Sequence, residues 1–256
     1  MILTLSALTA FADNYIWMVD DGRSAVVVDP GDADPVLTVL SQRRLRLVGI
    51  LVTHHHRDHV AGLQPLRAVL DGRVWGPAGE NIPGPFIACA HGDQIDLPGG
   101  PWNVIDVPGH TAGHIAFFSG DVDGTPTLFC GDTLFSAGCG RVFEGTPAQM
   151  HASLSRLAAL PAATRVCCAH EYTVSNLRFA ARVEPRNEPL QQHLAWCVTQ
   201  RERGLPTLPS TIGIERTINP FLRCDEPDVR AAAALLGTID SASDVFARLR
   251  EWKNQS

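Results

Sequence analysis

The feature that most constrains this chain is a histidine-rich run in its interior, THHHRDH at residues 53–59. It follows the apolar run LVGILV, which predicts a strand, and precedes a helical pattern. His54 and His56 are two residues apart, so their rings project to the same side of an extended backbone, whereas His55 faces away and is excluded. The run begins two metal sites but cannot complete both, because a metal ion takes about four ligands. The ligands that it offers are His54, His56, Asp58 and His59.

Three more residues of ligand type follow predicted strands. The run WNVIDVPG leads to His110, TLFCG leads to Asp132, and RVCCA leads to His170. Taken singly, such a histidine is more often an ordinary core or surface residue, and Asp132 in Gly-Asp-Thr is more often a turn residue. Ligands in α/β folds gather at the carboxyl ends of strands. Several predicted strands have a residue of this type at their carboxyl ends. We therefore predict that His110, Asp132 and His170 lie next to the histidine-rich run in the folded protein.

Short β-branched runs alternate with helical patterns over the first two-thirds of the chain, which predicts sheets covered by helices. Long helical patterns follow, so we expect an α/β domain over residues 1–172 and a helical domain over residues 173–256. Residues 205–223, with three prolines, are expected to be irregular. The predicted strands are Ile2–Leu8, Tyr15–Val19, Ala25–Val28, Leu47–Val52, Asn103–Val107, Ile115–Phe118, Thr127–Cys130 and Arg165–Cys168. The predicted helices are Asp34–Gln42, Val60–Leu70, Pro147–Leu160, Val174–Val183, Glu188–Arg203, Pro227–Leu236 and Ser243–Lys253.

Charge and cysteine content exclude several classes of protein. The formal net charge of −6 counts against a nucleic-acid partner, and no apolar run reaches the roughly 18 residues of a membrane span. Residues 1–12 are apolar but lack a preceding basic residue, so no signal peptide is expected. The seven cysteines form no C-x-x-C pair, which indicates reduced thiols and a cytoplasmic protein. We expect a monomer with a small-molecule partner.

The motifs together resemble those of a known family. ADNYIWMV, AVVVDPGDA, THHHRDH, VPGHTAGH, FCGDTLFSAGCGRVFEGT, CAHEYTVSN, PST…NPFLR and LREWK occur in this order over essentially the whole chain. They resemble the metallo-β-lactamase fold superfamily and, within it, glyoxalase II, the hydroxyacylglutathione hydrolases. The resemblance implies an αββα sandwich of the α/β class with a C-terminal helical domain. It also implies that Asp29 supports the metal ligands.

The resemblance assigns the ligands to two divalent metal ions per chain. It implies that His54, His56 and His110 bind one ion, that Asp58, His59 and His170 bind the other, and that Asp132 bridges them. Asp58 would also aim the attacking water, so Asp58 and Asp132 are the expected catalytic residues. Zinc is the expected metal, and iron or manganese would accept the same nitrogen and oxygen donors.

The substrate also comes from the resemblance. It implies hydrolysis of the thioester S-D-lactoylglutathione, or another S-2-hydroxyacylglutathione, in the second step of methylglyoxal detoxification. Arg250 and Lys253 lie three apart on a predicted helix and share a face, where the family holds the glycine end of glutathione. The other contact positions match Arg141, Phe143, Tyr172 and Asn176. The sequence departs from the pattern in two places. Some members have lysine and tyrosine where this chain has Arg141 and Phe143, so that the cation is kept but the hydroxyl is lost, and Arg186 stands where many have glycine.

Other functions remain open at this level. A persulfide dioxygenase of the same superfamily would use a single iron, and a β-lactamase or lactonase would share the fold. A module that binds metal without catalysis would usually have a closed, cysteine-rich site, whereas the predicted ligands here include no cysteine. Cys139 in AGCGR is an alternative nucleophile, although a metal-activated water would make it redundant.

Overall fold

The computed structural model describes residues 3–256, and the chain divides into two compact units. The first unit contains residues 3–107 and 112–131, and the second contains residues 108–111 and 132–256. The predicted boundary between residues 172 and 173 stays a prediction. Within residues 3–256, no helix is long and apolar enough to cross a membrane.

The first unit contains a mixed sheet in the order β1-β2-β3-β4-β5-β6. Strands β1, β2 and β3 pair antiparallel, whereas β3 to β6 pair parallel. Strand β2, which lies next to the edge strand β1, is buried along its whole length, which explains why its sequence NYIWMVD lacks a regular polar alternation. The strands are β1 (Thr4–Ala10), β2 (Asn14–Asp20), β3 (Ser24–Val28), β4 (Arg46–Leu51), β5 (Leu70–Pro77) and β6 (Ile87–Cys89).

Four further strands of this unit pair antiparallel in the order β7-β8-β9-β10. The helices of the unit pack an apolar core with the first sheet, to which Val36, Leu40, Leu63 and Leu66 contribute buried side chains. The remaining elements are β7 (Gln94–Ile95), β8 (Trp102–Asp106), β9 (Ile115–Val122), β10 (Thr125–Gly131), α1 (Asp34–Arg43), α2 (Arg57–Val60) and α3 (Leu63–Leu66).

The second unit is mostly helical. Helices α4 and α9 both begin with a capping box, at Thr146 with Gln149 and at Ser241 with Asp244, which satisfies backbone N–H groups of the first turn. The strands are β11 (Leu134–Phe135), β12 (Gly138–Cys139), β13 (Arg165–Cys168) and β14 (Ser210–Thr211). The helices are α4 (Pro147–Ala158), α5 (Thr173–Val183), α6 (Glu188–Glu202), α7 (Ile212–Ile218), α8 (Pro227–Ala234) and α9 (Ala242–Asn254), with a 3₁₀ turn at Pro220–Leu222.

Two predicted segments differ from the structure. The helix predicted for residues 60–70 is wrong: the chain forms two short helices, α2 and α3, and then enters β5 at Leu70. Gly62 lies between the helices, where a Cβ atom would come within 2.4 Å of the carbonyl oxygen of Pro30, so the chain approaches its neighbour too closely for a longer side chain. The segment expected to be irregular contains α7, which Thr211 caps by accepting a hydrogen bond from Ile214 N at 3.2 Å.

The other predicted helices agree with the structure within a few residues. The first predicted strand begins at Ile2, which lies outside the described residues, and the observed strand β1 covers Thr4–Ala10. Strand β5 was not predicted, because its sequence LDGRVWGP has two glycines and two charged residues that break the apolar pattern.

Candidate metal centre and substrate pocket

In the first unit, the predicted ligands lie directly after strand β4. His54 is fully buried three residues beyond the strand, His56 is the N-cap residue of α2, and Asp58 and His59 lie within that helix. The ring centroids of His54 and His56 are 4.7 Å apart, and those of His54 and His59 are 4.0 Å apart. The structure therefore brings together the four ligands predicted from the histidine-rich run.

Asp29 supports this cluster through contacts with Thr53 and His59. It follows β3 in a left-handed conformation (φ 52°), and its Oδ1 and Oδ2 atoms accept hydrogen bonds from N and Oγ1 of Thr53, each at 2.7 Å. Because the Thr53 hydroxyl has a single proton and donates it to Asp29, it can only accept from Nδ1 of His54, which lies 3.1 Å away. His54 therefore carries its proton on Nδ1 and its lone pair on Nε2.

The same carboxylate holds His59. Oδ2 of Asp29 lies 3.1 Å from Nδ1 of His59, so in a neutral imidazole with its proton on Nδ1 the lone pair lies on Nε2. That Nε2 atom lies 3.5 Å from Oδ2 of Asp58, and the same oxygen accepts a hydrogen bond from Nδ2 of Asn14 at 3.0 Å. Metal-binding histidines usually have such a partner on the second ring nitrogen, which fixes the tautomer and the orientation of the ring.

The second unit brings together the other three predicted ligands. Nε2 of His110 lies 3.3 Å from Oδ2 of Asp132, and Nε2 of His170 lies 3.4 Å from Oδ1 of the same carboxylate. Nδ1 of His110 donates to the backbone oxygen of Arg141 at 2.8 Å, because a carbonyl can only accept. In the neutral ring the lone pair of His110 therefore lies on Nε2, the atom that faces Asp132.

These spacings fit divalent metal ions. Separations of 3.3–3.5 Å are longer than ordinary hydrogen bonds of this kind. With metal–ligand bonds of about 2.1 Å, two ligands of one tetrahedral ion lie about 3.4 Å apart. Each oxygen of Asp132 thus has the spacing expected of a ligand that shares an ion with one histidine. The donors are imidazole nitrogens and carboxylate oxygens, which bind zinc, iron and manganese alike.

A cavity of about 470 Å³ in the second unit contains all the substrate contacts expected from the sequence. His110 and Asp132 also line this cavity, so ligand-type residues and cations face one space. The predicted contact residues in its lining are Arg141, Phe143, Tyr172, Asn176, Arg250 and Lys253.

The cations of the cavity are fixed by backbone oxygens. Arg250 is only 7% exposed and donates from Nη1 to the carbonyl of Cys139 at 2.8 Å. Nζ of Lys253 donates to the carbonyl of Ser175 at 3.2 Å and lies 5.2 Å from the ring centroid of Phe179. Burial, and then the positive charge of Arg250, lowers the pKa of Lys253 from that of a free lysine.

Aromatic rings line the cavity beside the metal ligands. The rings of Tyr172 and His170 stack with centroids 4.7 Å apart, and Phe143 lies 5.3 Å from His110. Phe143 is 61% exposed, so its ring is available to pack against a ligand. Asn176, by contrast, donates from Nδ2 to the carbonyl of Ser136 at 3.1 Å and so also holds the backbone of the cavity wall.

Cys139 is a poor candidate for a nucleophile. Its side chain is buried, and burial raises the pKa of its thiol despite the neighbouring Arg250 guanidinium. A thiol reacts as the thiolate, so the protonated state that burial favours is unreactive.

Several residues of the site were missed in the sequence. Asn14 contacts Asp58 from 44 positions away, and Glu80 accepts hydrogen bonds from the backbone N of His55 at 2.6 Å and of Gly113 at 3.2 Å. Phe135 and Ser175 line the cavity. No spacing rule links Asn14 or Glu80 to the ligands.

Comparison with known proteins agrees with this geometry. Residues 11–86 and 90–170 match the model of the metallo-β-lactamase superfamily, which defines the class of the fold and of the metal site. Residues 171–256 match the model of the hydroxyacylglutathione hydrolase C-terminus, and full-length relatives carry the same name. One from Albidiferax ferrireducens is 57% identical over 99% of this chain and 100% of its own, and one from Pseudomonas putida is 53% identical over 99% of both. The chain belongs to the hydroxyacylglutathione hydrolase family.

Two solved structures show the same fold at greater distance. TTHA1623, solved in a di-iron-bound form, is 27% identical, has a TM-score of 0.60, and aligns with 86% of this chain and 100% of its own. ETHE1 from Myxococcus xanthus is 23% identical with a TM-score of 0.65, and aligns with 98% of this chain and 91% of its own. The fold is thus a metallo-β-lactamase fold of the α/β class with a C-terminal helical domain.

Proposed function

We propose that this chain hydrolyses the thioester of S-2-hydroxyacylglutathione, with S-D-lactoylglutathione as substrate, to glutathione and a 2-hydroxy acid. This reaction would be the second step of methylglyoxal detoxification. The observation that carries the proposal is one cavity lined by His110 and Asp132 together with Arg250 and Lys253. A site of this kind can hold an anionic substrate beside the metal ligands.

Seven residues would hold the metal ions: His54, His56, Asp58, His59, His110, Asp132 and His170. We propose that Asp132 bridges two ions, because each of its oxygens has the spacing of a ligand shared with one histidine. Two divalent ions there would supply a water of lowered pKa and polarise the thioester carbonyl. Zinc is the proposed metal, and the di-iron form of TTHA1623 keeps iron as an alternative.

The protein's own residues orient the reacting groups. Asp58, whose carboxylate accepts a hydrogen bond from Asn14, would also accept one from the attacking water and so orient it. The leaving group is a thiolate, and a free thiol has a pKa of about 8.5. It therefore leaves without full protonation, which explains why the proposed reaction needs no dedicated general acid.

The cations of the cavity bind the substrate. Glutathione carries two carboxylates, and a chain with a formal net charge of −6 can attract them only through local cations. Arg250 and Lys253 supply these charges, and Arg141, Tyr172 and Asn176 would make the polar contacts. Phe143 would pack against the substrate without a hydrogen bond. In this proposal, residues 1–172 would bind the metal ions and residues 173–256 would contribute Asn176, Arg250 and Lys253 to the binding of glutathione.

The test is to incubate metal-loaded protein with S-D-lactoylglutathione and to follow thioester loss and the release of free thiol. Asp132→Ala should lower the rate by more than about 100-fold, because even residues behind metal ligands contribute about 10- to 100-fold. His193→Ala is the matched control, because His193 lies on α6 and does not line the cavity. An inactive wild-type protein, or full activity in Asp132→Ala, would contradict the proposal. Oxygen consumption with glutathione persulfide would instead favour the dioxygenase.

We also propose a monomeric, cytoplasmic protein. All seven cysteines lie within the described residues, where they are buried and form no disulfide, as expected of a chain that works in a reducing compartment. The negative net charge argues against a nucleic-acid partner.

A further inference from the structure

The segment of residues 207–219, here called the brace, has no role in the proposed reaction but contains unusual buried polar groups. Thr207, Ser210, Glu215 and Asn219 are each at most 4% exposed. Buried polar side chains are costly unless they are hydrogen-bonded. The partners of these groups therefore indicate what the brace does.

Asn219 holds a hairpin of the cavity wall. Its Nδ2 atom donates to the carbonyls of Phe135 at 3.1 Å and Gly138 at 2.9 Å, while Oδ1 accepts from the backbone N of Phe221 at 3.1 Å. Phe135 lines the cavity, and both carbonyls belong to the hairpin of β11 and β12, residues 134–139. One amide thus joins both strands of this hairpin to the helical region.

Glu215 holds the tip of the same hairpin. Its Oε2 atom accepts from the backbone N of Ala137 at 2.7 Å and from Nδ2 of Asn219 at 3.1 Å, and Oε1 accepts from the hydroxyl of Ser210. Ala137 adopts a left-handed conformation (φ 52°), which is unfavourable for an alanine. The contact with Glu215 stabilises this turn without a glycine.

The braced hairpin in turn fixes the cation of the cavity. The carbonyl of Cys139, the last residue of the hairpin, accepts the hydrogen bond from Nη1 of Arg250. The other end of the brace is bonded to a residue beside the cavity. The backbone N of Thr207 donates to Oε2 of Glu171 at 2.9 Å, and Glu171 directly precedes Tyr172, which lines the cavity. Two walls of the cavity are thus bonded to one segment.

We propose that Asn219 and Glu215 are positioning residues for substrate binding, which act by holding hairpin 134–139 and, through Cys139, Arg250. Neither residue is part of the cavity lining. The inference rests on the proposed function, because it assigns Arg250 to the anionic part of the substrate. It predicts that a weakened brace impairs binding of glutathione compounds more than it impairs the chemical step.

The decisive variant is Asn219→Asp, which keeps the size of the side chain and the oxygen that accepts from Phe221. It replaces the NH₂ group, which donates to the carbonyls of Phe135 and Gly138, with an oxygen that cannot donate to them. We expect KM for S-D-lactoylglutathione and Kd for glutathione to rise by about tenfold each, the effect of losing roughly 1.4 kcal/mol. We expect little change in kcat and in metal content. Glu215→Gln should stay close to wild type, because its amide oxygen can still accept from Ala137 and Asn219.

The matched control is Asn187→Ala. Asn187 also donates from Nδ2 to α7, to the carbonyl of Thr217 at 2.9 Å, but caps α6 and does not line the cavity. Its loss should lower the melting temperature and leave KM unchanged. An Asn219→Asp protein with a lower melting temperature and an unchanged KM would overturn the proposal, and so would an equal rise of KM in Asn187→Ala.

If Asn219→Asp does not fold, Asn219→Ser is judged by the same criteria, because the serine hydroxyl can still cap the 3₁₀ turn but cannot reach both carbonyls. If the wild-type protein neither hydrolyses the thioester nor binds glutathione, the proposed function is what fails. The brace is then tested by amide hydrogen exchange of residues 134–139. Exchange should be faster in Asn219→Ser than in Asn187→Ala, and equal rates would refute the brace.

Discussion

Arg250 and Cys139 are 111 positions apart in the chain, yet Nη1 of Arg250 donates to the carbonyl of Cys139 at 2.8 Å. The guanidinium group also lies 5.3 Å from the ring centroid of Phe221 and donates from Nε to Oδ1 of Asn254 at 3.1 Å. These contacts fix both the position and the plane of the cation. A planar, fixed guanidinium is suited to bind a carboxylate.

Replacement of Arg250 by lysine should therefore weaken substrate binding although the charge is kept. A lysine lacks the planar fork and cannot hold the Cys139 carbonyl and a carboxylate in the same geometry. We expect KM of Arg250→Lys to rise by about tenfold with little change in kcat. Arg248→Lys is the control, because Arg248 lies on the same helix but pairs with Glu251 at 3.6 Å. Equal kinetics of the two variants would contradict the role of Arg250.

The lowered pKa of Lys253 predicts a pH dependence of binding. Burial, and then the neighbouring charges of Arg250 and Arg182, favours the neutral amine, so Lys253 loses its charge at a lower pH than a free lysine does. KM for the anionic thioester should rise as the pH increases through this lowered pKa. Lys253→Arg keeps its charge and should remove this alkaline rise. Measurement of KM against pH in both proteins tests the assignment, and the same rise in both would exclude Lys253.

Asn14 should strengthen metal binding through its hydrogen bond to Asp58. Its amide donates to the Asp58 carboxylate at 3.0 Å, and loss of such a partner typically weakens metal binding by about tenfold or more. We expect Asn14→Ala to release metal to a competing chelator at about tenfold lower chelator concentration. Asn103→Ala is the control, since its amide donates to the carbonyl of Phe118 at 3.3 Å, away from the ligands. Identical chelator curves for Asn14→Ala and wild type would contradict this prediction.

Glu215 should make folding stability depend on pH. Burial raises the pKa of Glu215 above its ordinary value of 4.5. Its contribution to stability is therefore fully present below the unfolded-state pKa and is lost as the pH rises through the folded-state pKa. Glu215→Gln removes this titratable group. Between acidic and neutral pH, the free energy of unfolding of the variant should therefore decrease less than that of the wild-type protein. Urea unfolding at several pH values measures the difference, and parallel curves would show that Glu215 does not titrate in this way.

The residues proposed as metal ligands could be identified in the sequence because their signals are local. The apolar run before His54 ends abruptly, and Asp132 and His170 also follow predicted strands, so a general rule on strand ends brought them together. The helix predicted from Val60 failed because the close approach of Gly62 to Pro30 is a tertiary contact, which periodicity does not contain. Asn14 was missed for the same reason, since its partner Asp58 is distant in sequence.

The packing of α4 has a practical consequence for dividing this chain. Helix α4 contacts α7 and α9, and Met150, Leu154 and Leu157 on its inner side are fully buried. A fragment that stops at residue 172 would retain α4 but lack both partner helices. Its apolar stripe would then face water, and such a fragment should aggregate or require a co-expressed C-terminal piece to remain in solution.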